Sequence, residues 1–384
     1  MSHHSSARPA PAPALHVSDG ELEDLRSRLQ RTRWPASWPG THPGAGVDPR
    51  ELRRLVAYWL EGFDWRRQEA AINALPHRIA DVAGQQVHYL HFDAELPGAL
   101  PLVVTHGWPS SFLELVDLAE RLSRPSAYGG VAADAFSVVV PSLPGYATAP
   151  QAPALPAQVP THELWHRLMR EELGFGRYGA HGGDLGAGVT SRLAQAHPEA
   201  LVGIHVLAVA PPSPEHSEDL SADEQAYLAA AADWQTREGG YQHQQSTRPL
   251  TLAYGLSDSP VGLLAWLLEK YEAWSDHRGG RPATLDDDTV LTQVSLYWFT
   301  NAIATSFRPY YEFALGALPP LDQVAVPTAV ADFPADLTHP PRSWAARTYD
   351  VRRHTVMPAG GHFAAREQPE LLAADITEFF RPLR

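Results

Sequence analysis

The ten residues GAHGGDLGAG, at positions 179–188, place an acidic side chain where a sharp strand-to-helix turn would expose it. In turns of the form G-x-nucleophile-x-G, glycines are needed because the apex residue is strained and neighbouring backbones crowd it. Gly182, Asp184 and Gly186 fill that pattern, and the chain contains no G-x-S-x-G. A carboxylate at the apex is ionised near neutral pH and attacks without help from a base. Its target would be an sp³ carbon bearing a strained or good leaving group, and the product an alkyl ester on the protein. Water must then cleave that ester at its acyl carbon. The next residue, Leu185, would offer its backbone N–H at a helix N-terminus, where negative charge is favoured. A glycine-rich turn with an N-capping aspartate would leave the same trace, so the chemistry needs partners.

Three other stretches supply them. THGWPSS follows an apolar run and precedes the turn, so the N–H of Trp108 can join that of Leu185 in an oxyanion hole. His106 and Pro109 flank Trp108 and, with Tyr146 and Phe363, are expected to line a substrate pocket. GGHFAAREQPELL places His362 between the last strand and the last helix. One His among 19 is weak evidence alone, but the order nucleophile, acid, histidine strengthens it. The acid should end the preceding strand, where VADFPADL offers Asp332 and Asp336, and spacing does not choose between them. Such a set hydrolyses epoxides or carbon–halogen bonds. An epoxide oxygen wants phenol donors, whereas a halide wants N–H donors such as a Trp beside the nucleophile, a place held here by Leu185. Tyr241, Tyr254, Tyr297, Tyr310 and Tyr311 are available, although packing with a satisfied hydroxyl is the commoner use of a tyrosine.

The elements that would position these groups read as α/β. QQVHYLHF alternates, whereas LPLVVTHGW, FSVVVPSLPG and LVGIHVLAV are apolar on both faces and alternate with helical segments. This pattern calls for a mostly parallel sheet covered on both sides. Residues 1–14 read as a disordered tail, rich in Pro, Ala, Ser and His. Residues 15–79 read as a helical region, with Ser18 and Glu21 spaced as a capping box and Asp48–Pro49 opening a second helix. The core then spans 80–212 and 319–384, interrupted by a helical cap at 213–318 that should lie over the carboxyl ends of the strands.

Composition narrows the partners. The net charge is −14, without a basic cluster, which disfavours nucleic acid and anionic membranes. No apolar run reaches the ~20 residues that span a bilayer. The absence of Cys removes disulfides, zinc–thiolate sites and thiol catalysis. His88 and His91 lie three apart on an expected strand and face opposite sides, so no metal is expected there. A cytoplasmic protein without cofactor, acting on a small apolar substrate, is the expectation, and a homodimer is compatible with it.

Together these stretches resemble the microsomal-type epoxide hydrolases of the α/β-hydrolase superfamily, from about residue 15 to the C-terminus. ELEDLRSRLQRTRWP, HGWP, GGDLG, SDSPVGLLAWLLEKYEAW, RPYYE, FPADL and GGHFAAREQPELL are each similar to family segments. The resemblance implies Asp184 as nucleophile, His362 as base and Asp336 as the acid orienting it, with Tyr310 and Tyr241 holding the epoxide oxygen. It also implies that the N-terminal region wraps over the cap. Leu185 stands where the family usually has Trp, Ser110 where Gly is common, and GYATAP where GYGFS is usual. These departures concern the pocket rather than the catalytic groups. A dehalogenase with the same Asp–His machinery, or a catalytically silent binder of apolar ligands, are the alternative expectations.

Overall fold

The computed structural model describes residues 10–36, 38, 44–155, 157–213, 216–278 and 285–384. Its centre is a nine-stranded sheet in the order β1-β2-β3-β5-β4-β6-β7-β8-β9. The strands are β1 (Ala10–Pro11), β2 (His77–Val82), β3 (Gln85–Phe92), β4 (Leu100–Thr105), β5 (Phe136–Pro141), β6 (Tyr178–Gly182), β7 (Leu201–Val206), β8 (Val324–Asp332) and β9 (Tyr349–Val356). Pairings from β1 to β5 through β3 are antiparallel, and those from β5 to β9 are parallel. The two-residue link between β2 and β3 puts both Ala83 and Gly84 at positive φ, 53° and 78°, the hairpin geometry that matches strand twist. β6 and β7 are buried at every position, as strands covered on both faces must be.

Residues 1–9 of the N-terminal tail lie outside the described residues, whereas Ala10–Pro11 pairs with Ile79 and Arg78 as an edge strand. Proline is tolerated there because an edge position need not donate to a ladder. Three helices follow, α1 (Asp19–Gln30), α2 (Pro49–Glu61) and α3 (Trp65–Asn73). The Ser18–Glu21 capping box is formed, and Asp48 accepts from the Arg50 N–H ahead of Pro49. Leu52, Leu55, Val56 and Trp59 bury one face of α2.

The parallel strands are joined by α4 (Val116–Ser123), α5 (Thr161–Arg167) and α6 (Asp184–Ala196). Between β7 and β8 the chain forms α7 (Ala222–Glu238), α8 (Gly240–Thr247), α9 (Pro249–Asp258), α10 (Pro260–Trp274), α11 (Asp287–Thr300), α12 (Ile303–Ser306) and α13 (Arg308–Ala314). After β8 come α14 (Arg342–Ala345), α15 (Ala364–Glu367) and α16 (Pro369–Phe380). The N-terminal helices are tied to the insertion: Arg28 pairs with Asp258 at 2.8 Å, Arg54 with Asp287 at 2.6 Å, and the Tyr58 hydroxyl donates to Asp288 at 2.8 Å. Exposed ion pairs contribute little each, so the buried apolar face of α2 carries most of that attachment.

Candidate active site

Asp184 sits at the turn between β6 and α6 with φ at 48°, a left-handed conformation that a non-glycine residue adopts only at a cost. The turn closes because its glycines have no side chains. A Cβ on Gly182 would lie 2.2 Å from the Gly186 carbonyl oxygen, and one on Gly186 would lie 2.1 Å from the Thr105 carbonyl oxygen. Gly107 is constrained from the other side, since its Cβ would come within 2.3 Å of the Asp184 Cβ. The loop after β4 and the turn after β6 therefore approach backbone to backbone around one carboxylate.

That approach divides the carboxylate into two halves. Oδ1 accepts the Trp108 backbone N–H at 2.8 Å, and the Leu185 N–H also hydrogen-bonds the carboxylate. Oδ2 faces His362 Nε2 at 3.6 Å. Burial pushes the Asp184 carboxyl up, but the His362 interactions and the two N–H donors outweigh it, and the net direction is down. His362 Nδ1 meets Asp336 Oδ1 at 2.7 Å. Burial alone would lower the imidazole; the charges of Asp336 and Asp184 and hydrogen bonds to both hold it protonated well above its usual range. Asp332, the other acid left open by spacing, instead bonds His339 Nδ1 at 2.7 Å.

The histidine loop is clamped to the end of α10. The His362 N–H donates to the Trp274 carbonyl at 2.9 Å, and a Cβ on Gly361 would strike that same oxygen at 2.5 Å. Glu367 accepts from the backbone N–H groups of Asp276, at 2.8 Å, and Phe363, at 3.1 Å. The Trp274 and Phe363 rings pack edge-on against the imidazole, with centroids at 5.0 and 5.2 Å.

Over the nucleophile stand two phenols from the insertion. The Tyr241 ring stacks on Trp108 at 5.3 Å, Tyr310 meets it edge-on at 6.0 Å, and the two tyrosine side chains hydrogen-bond each other. Burial, followed by the Asp184 charge, raises both phenols above their ordinary value, so they remain donors at neutral pH. The other tyrosines are elsewhere. Tyr254 and Tyr311 are exposed, and Tyr297 is buried with its hydroxyl donating to the Ser110 carbonyl at 3.0 Å.

Of the expected pocket residues, Phe363 and His106 border the same small cavity as Asp184 and His362. His106 has its ring nitrogens engaged by the Gly107 carbonyl and the Leu143 N–H, and burial holds it down at about 4. Pro109 follows a cis peptide bond and its carbonyl accepts the Tyr271 hydroxyl at 3.1 Å. The Tyr146 hydroxyl donates to the Ser306 carbonyl at 2.9 Å. His106, Pro109 and Tyr146 thus hold their loops through bonds within the protein. Two residues that sequence patterns had not marked also enter the site. Ser306 accepts the Trp108 indole N–H at 3.2 Å, and Glu114 borders the cavity between Asp184 and His362. Glu114, four residues beyond the end of THGWPS at Ser110, has no motif around it that could have marked it.

Residues 11–115 match the family model described as "Epoxide hydrolase N terminus". A protein of Stigmatella aurantiaca, provisionally named an epoxide hydrolase, is 40% identical over 380 residues, covering 96% of this chain and 84% of its own. Rabbit (Oryctolagus cuniculus) epoxide hydrolase 1 is 32% identical over 95% of this chain and 87% of its own. Among solved structures, Aspergillus niger epoxide hydrolase aligns with a TM-score of 0.84 and 31% identity, over 99% of this chain and 97% of that one. Juvenile hormone epoxide hydrolase of Bombyx mori aligns with a TM-score of 0.83 and 26% identity, over 98% and 94%.

Proposed function

Since the chain belongs to the epoxide hydrolase family of the α/β-hydrolases, we propose that it converts an epoxide to a vicinal diol through an ester on Asp184. The observation that carries this reading is the division of one carboxylate, with Oδ1 held by the Trp108 N–H, the Leu185 N–H also bonding the carboxylate, and Oδ2 facing His362. Oδ2 attacks the ring carbon from the side opposite the breaking C–O bond. Tyr310 and Tyr241 donate to the oxirane oxygen, since releasing a free alkoxide into an apolar pocket would be prohibitive. The paired phenols, with Leu185 in place of an indole N–H donor, favour an epoxide over a halide.

Ester formation also changes the base. The Asp184 charge and hydrogen bond help to keep His362 protonated, and alkylation removes both. The imidazole then loses its proton more readily, at the stage when it must take one from water. Water adds to the Asp184 carbonyl carbon, and the N–H groups of Trp108 and Leu185 receive the oxyanion.

Residues 213–318 supply Tyr241 and Tyr310, which pack on Trp108 beside the nucleophile, and so act as the lid of the site. Among the described residues no helix is long and apolar enough to cross a membrane. Exposed Leu250, Tyr254, Phe313 and Leu315 on the lid support a homodimer, which sedimentation velocity tests.

The mechanism is tested with His362→Gln. Exposed to a panel of styrene-type, terpenoid and fatty-acid epoxides, this variant should accumulate protein heavier by the mass of one epoxide, mapped to Asp184. No adduct with an epoxide that the unsubstituted enzyme turns over would refute the covalent scheme.

A further inference from the structure

We propose that Ser306 is a positioning residue, through which the lid sets the oxyanion hole and the paired phenols with one hydrogen bond; this rests on the covalent mechanism above. Its partner is Trp108, which serves both sets of donors. The Trp108 backbone N–H holds Asp184 Oδ1 at 2.8 Å, while its ring carries Tyr241 stacked at 5.3 Å and Tyr310 edge-on at 6.0 Å. Backbone and ring are joined by two torsions only. A turn of the indole therefore displaces the phenols relative to the nucleophile, or drags the N–H off Oδ1.

An indole has a single polar atom, and that atom can only donate. In the fully buried Trp108 it donates to Ser306 Oγ at 3.2 Å. Ser306 is equally inaccessible, and its own hydroxyl hydrogen goes to the Ile303 carbonyl at 2.8 Å, which leaves lone pairs for the indole. Phe307 and Trp274 pack around the Trp108 ring with centroids at 6.3 and 6.1 Å. Such apolar contacts tolerate small rotations, whereas a hydrogen bond weakens steeply off its axis. The direction of the indole comes from Ser306. The same bond keeps this N–H from the leaving group, and with Leu185 beside the nucleophile that role is left to the phenols.

Ser306 is itself placed from two sides. Asn301 ends α11 in the left-handed conformation, with φ at 51°, which its short polar side chain tolerates, and the chain turns into α12. There the Ser306 N–H donates to the Ala302 carbonyl at 2.9 Å. From the core, the Tyr146 hydroxyl in the loop after β5 donates to the Ser306 carbonyl at 2.9 Å. That loop comes close because Gly145 lacks a side chain: a Cβ there would lie 2.9 Å from the Thr305 Cβ. Tyr297 on α11, whose hydroxyl ends on the Ser110 carbonyl, also stands within hydrogen-bonding reach of Ser306. One core loop thus fixes Ser306 at its carbonyl, and Ser306 fixes another core loop at its hydroxyl.

The test compares Ser306→Ala, Trp108→Phe and the double variant in single turnovers with excess enzyme, using any epoxide of the above panel that the unsubstituted enzyme consumes. Quenched intact mass follows ester formation and ester decay separately. Ser306→Ala should slow both steps at least about 10-fold per folded site, short of the roughly 10²–10³ that follows outright loss of an oxyanion donor. Trp108→Phe keeps a backbone N–H and a ring but has no indole donor, and should slow them similarly. The double variant should be within about 3-fold of the slower single variant, because two residues that share one interaction are not additive. Effects that multiply would overturn the proposal, as would a Ser306→Ala protein that is less stable yet reacts at the unsubstituted rates.

The bond itself is read by NMR of protein labelled with ¹⁵N-tryptophan. Of the 11 Trp in the chain, the one whose indole signal vanishes in Trp108→Phe should move upfield in Ser306→Ala, and an unmoved signal would overturn the proposal. Should Ser306→Ala fail to fold, Ser306→Cys replaces it in both measurements. Sulfur is the weaker acceptor, and the slowing is then about 3- to 10-fold, the scale of one neutral hydrogen bond. If the unsubstituted enzyme consumes epoxides without ever forming an ester, the covalent reading itself fails, which is a separable result. Steady-state kcat across the same variants then decides the role of Ser306.

Discussion

At Asp184 two oxygens of one side chain have different surroundings, and the reaction depends on that difference. Oδ1 occupies the place where the ester carbonyl and then the oxyanion will sit, so the backbone donors need no rearrangement between steps. Oδ2 is left to the substrate. Asp336 acts through His362, whose Nδ1 it holds at 2.7 Å, and fixes which ring nitrogen points at the ester. Asp336→Asn should lower kcat by about 10²–10⁴, as loss of the orienting acid does in other triads, with ester decay as the slowed step. Rapid-quench detection of accumulated ester checks it, and a defect confined to ester formation would contradict the assignment. Spacing alone left Asp332 and Asp336 equivalent. They differ only in the partner each finds, His339 for the first and His362 for the second, and a partner separated by 26 residues cannot be read from the local pattern.

Among the elements, close backbone approach is the limiting feature. The elbow and the loop after β4 meet where Gly107, Gly182 and Gly186 leave no room for a methyl group. Gly107→Ala places a Cβ 2.3 Å from that of Asp184, and the carboxylate must shift away from its donors. We expect a fall in kcat/KM of at least about 10²-fold from a displacement of that size, measured on purified folded variant. A fall under 3-fold would mean that the loop yields freely. These glycines were legible because their spacing is local, as were the apolar strands and the Ser18 and Asp48 helix caps. Other features were not legible. Tyr297 resembles a donor candidate in sequence as much as Tyr310 does, but its hydroxyl ends on the Ser110 carbonyl, while Tyr310 and Tyr241 converge over Trp108. Helical periodicity reports which face is buried and says nothing of what a buried hydroxyl meets. Glu114 lies in a one-turn helix with no motif around it, and Ala10–Pro11 pairs through backbone alone.

For the whole molecule, buried histidines set the acid limit of stability. His88, His106 and His181 are nearly inaccessible, and burial lowers all three: His88 to about 3, His106 to about 4 and His181 well below its usual value. Each is neutral in the fold and takes up a proton on unfolding near its ordinary value of about 6.5. Their stabilising contribution is therefore complete above about pH 6.5 and falls as pH drops below it, by on the order of 1–2 kcal/mol per group at pH 5. Lower pH also reduces self-repulsion from the net charge of −14, but exposed charges are screened and that relief is smaller. Thermal denaturation should show Tm declining between pH 7 and pH 5, and a flat or rising Tm would show that the histidines are not buried as described.

The most direct test of an Asp184 ester follows the source of one oxygen atom. With enzyme in excess and a single turnover in ¹⁸O-water, the diol should carry no heavy oxygen, because the incoming atom comes from the Asp184 carboxylate. The label should appear in the Asp184-containing peptide and reach the diol only in later turnovers. Heavy oxygen in the first diol would mean that water attacks the epoxide itself, and would contradict the account.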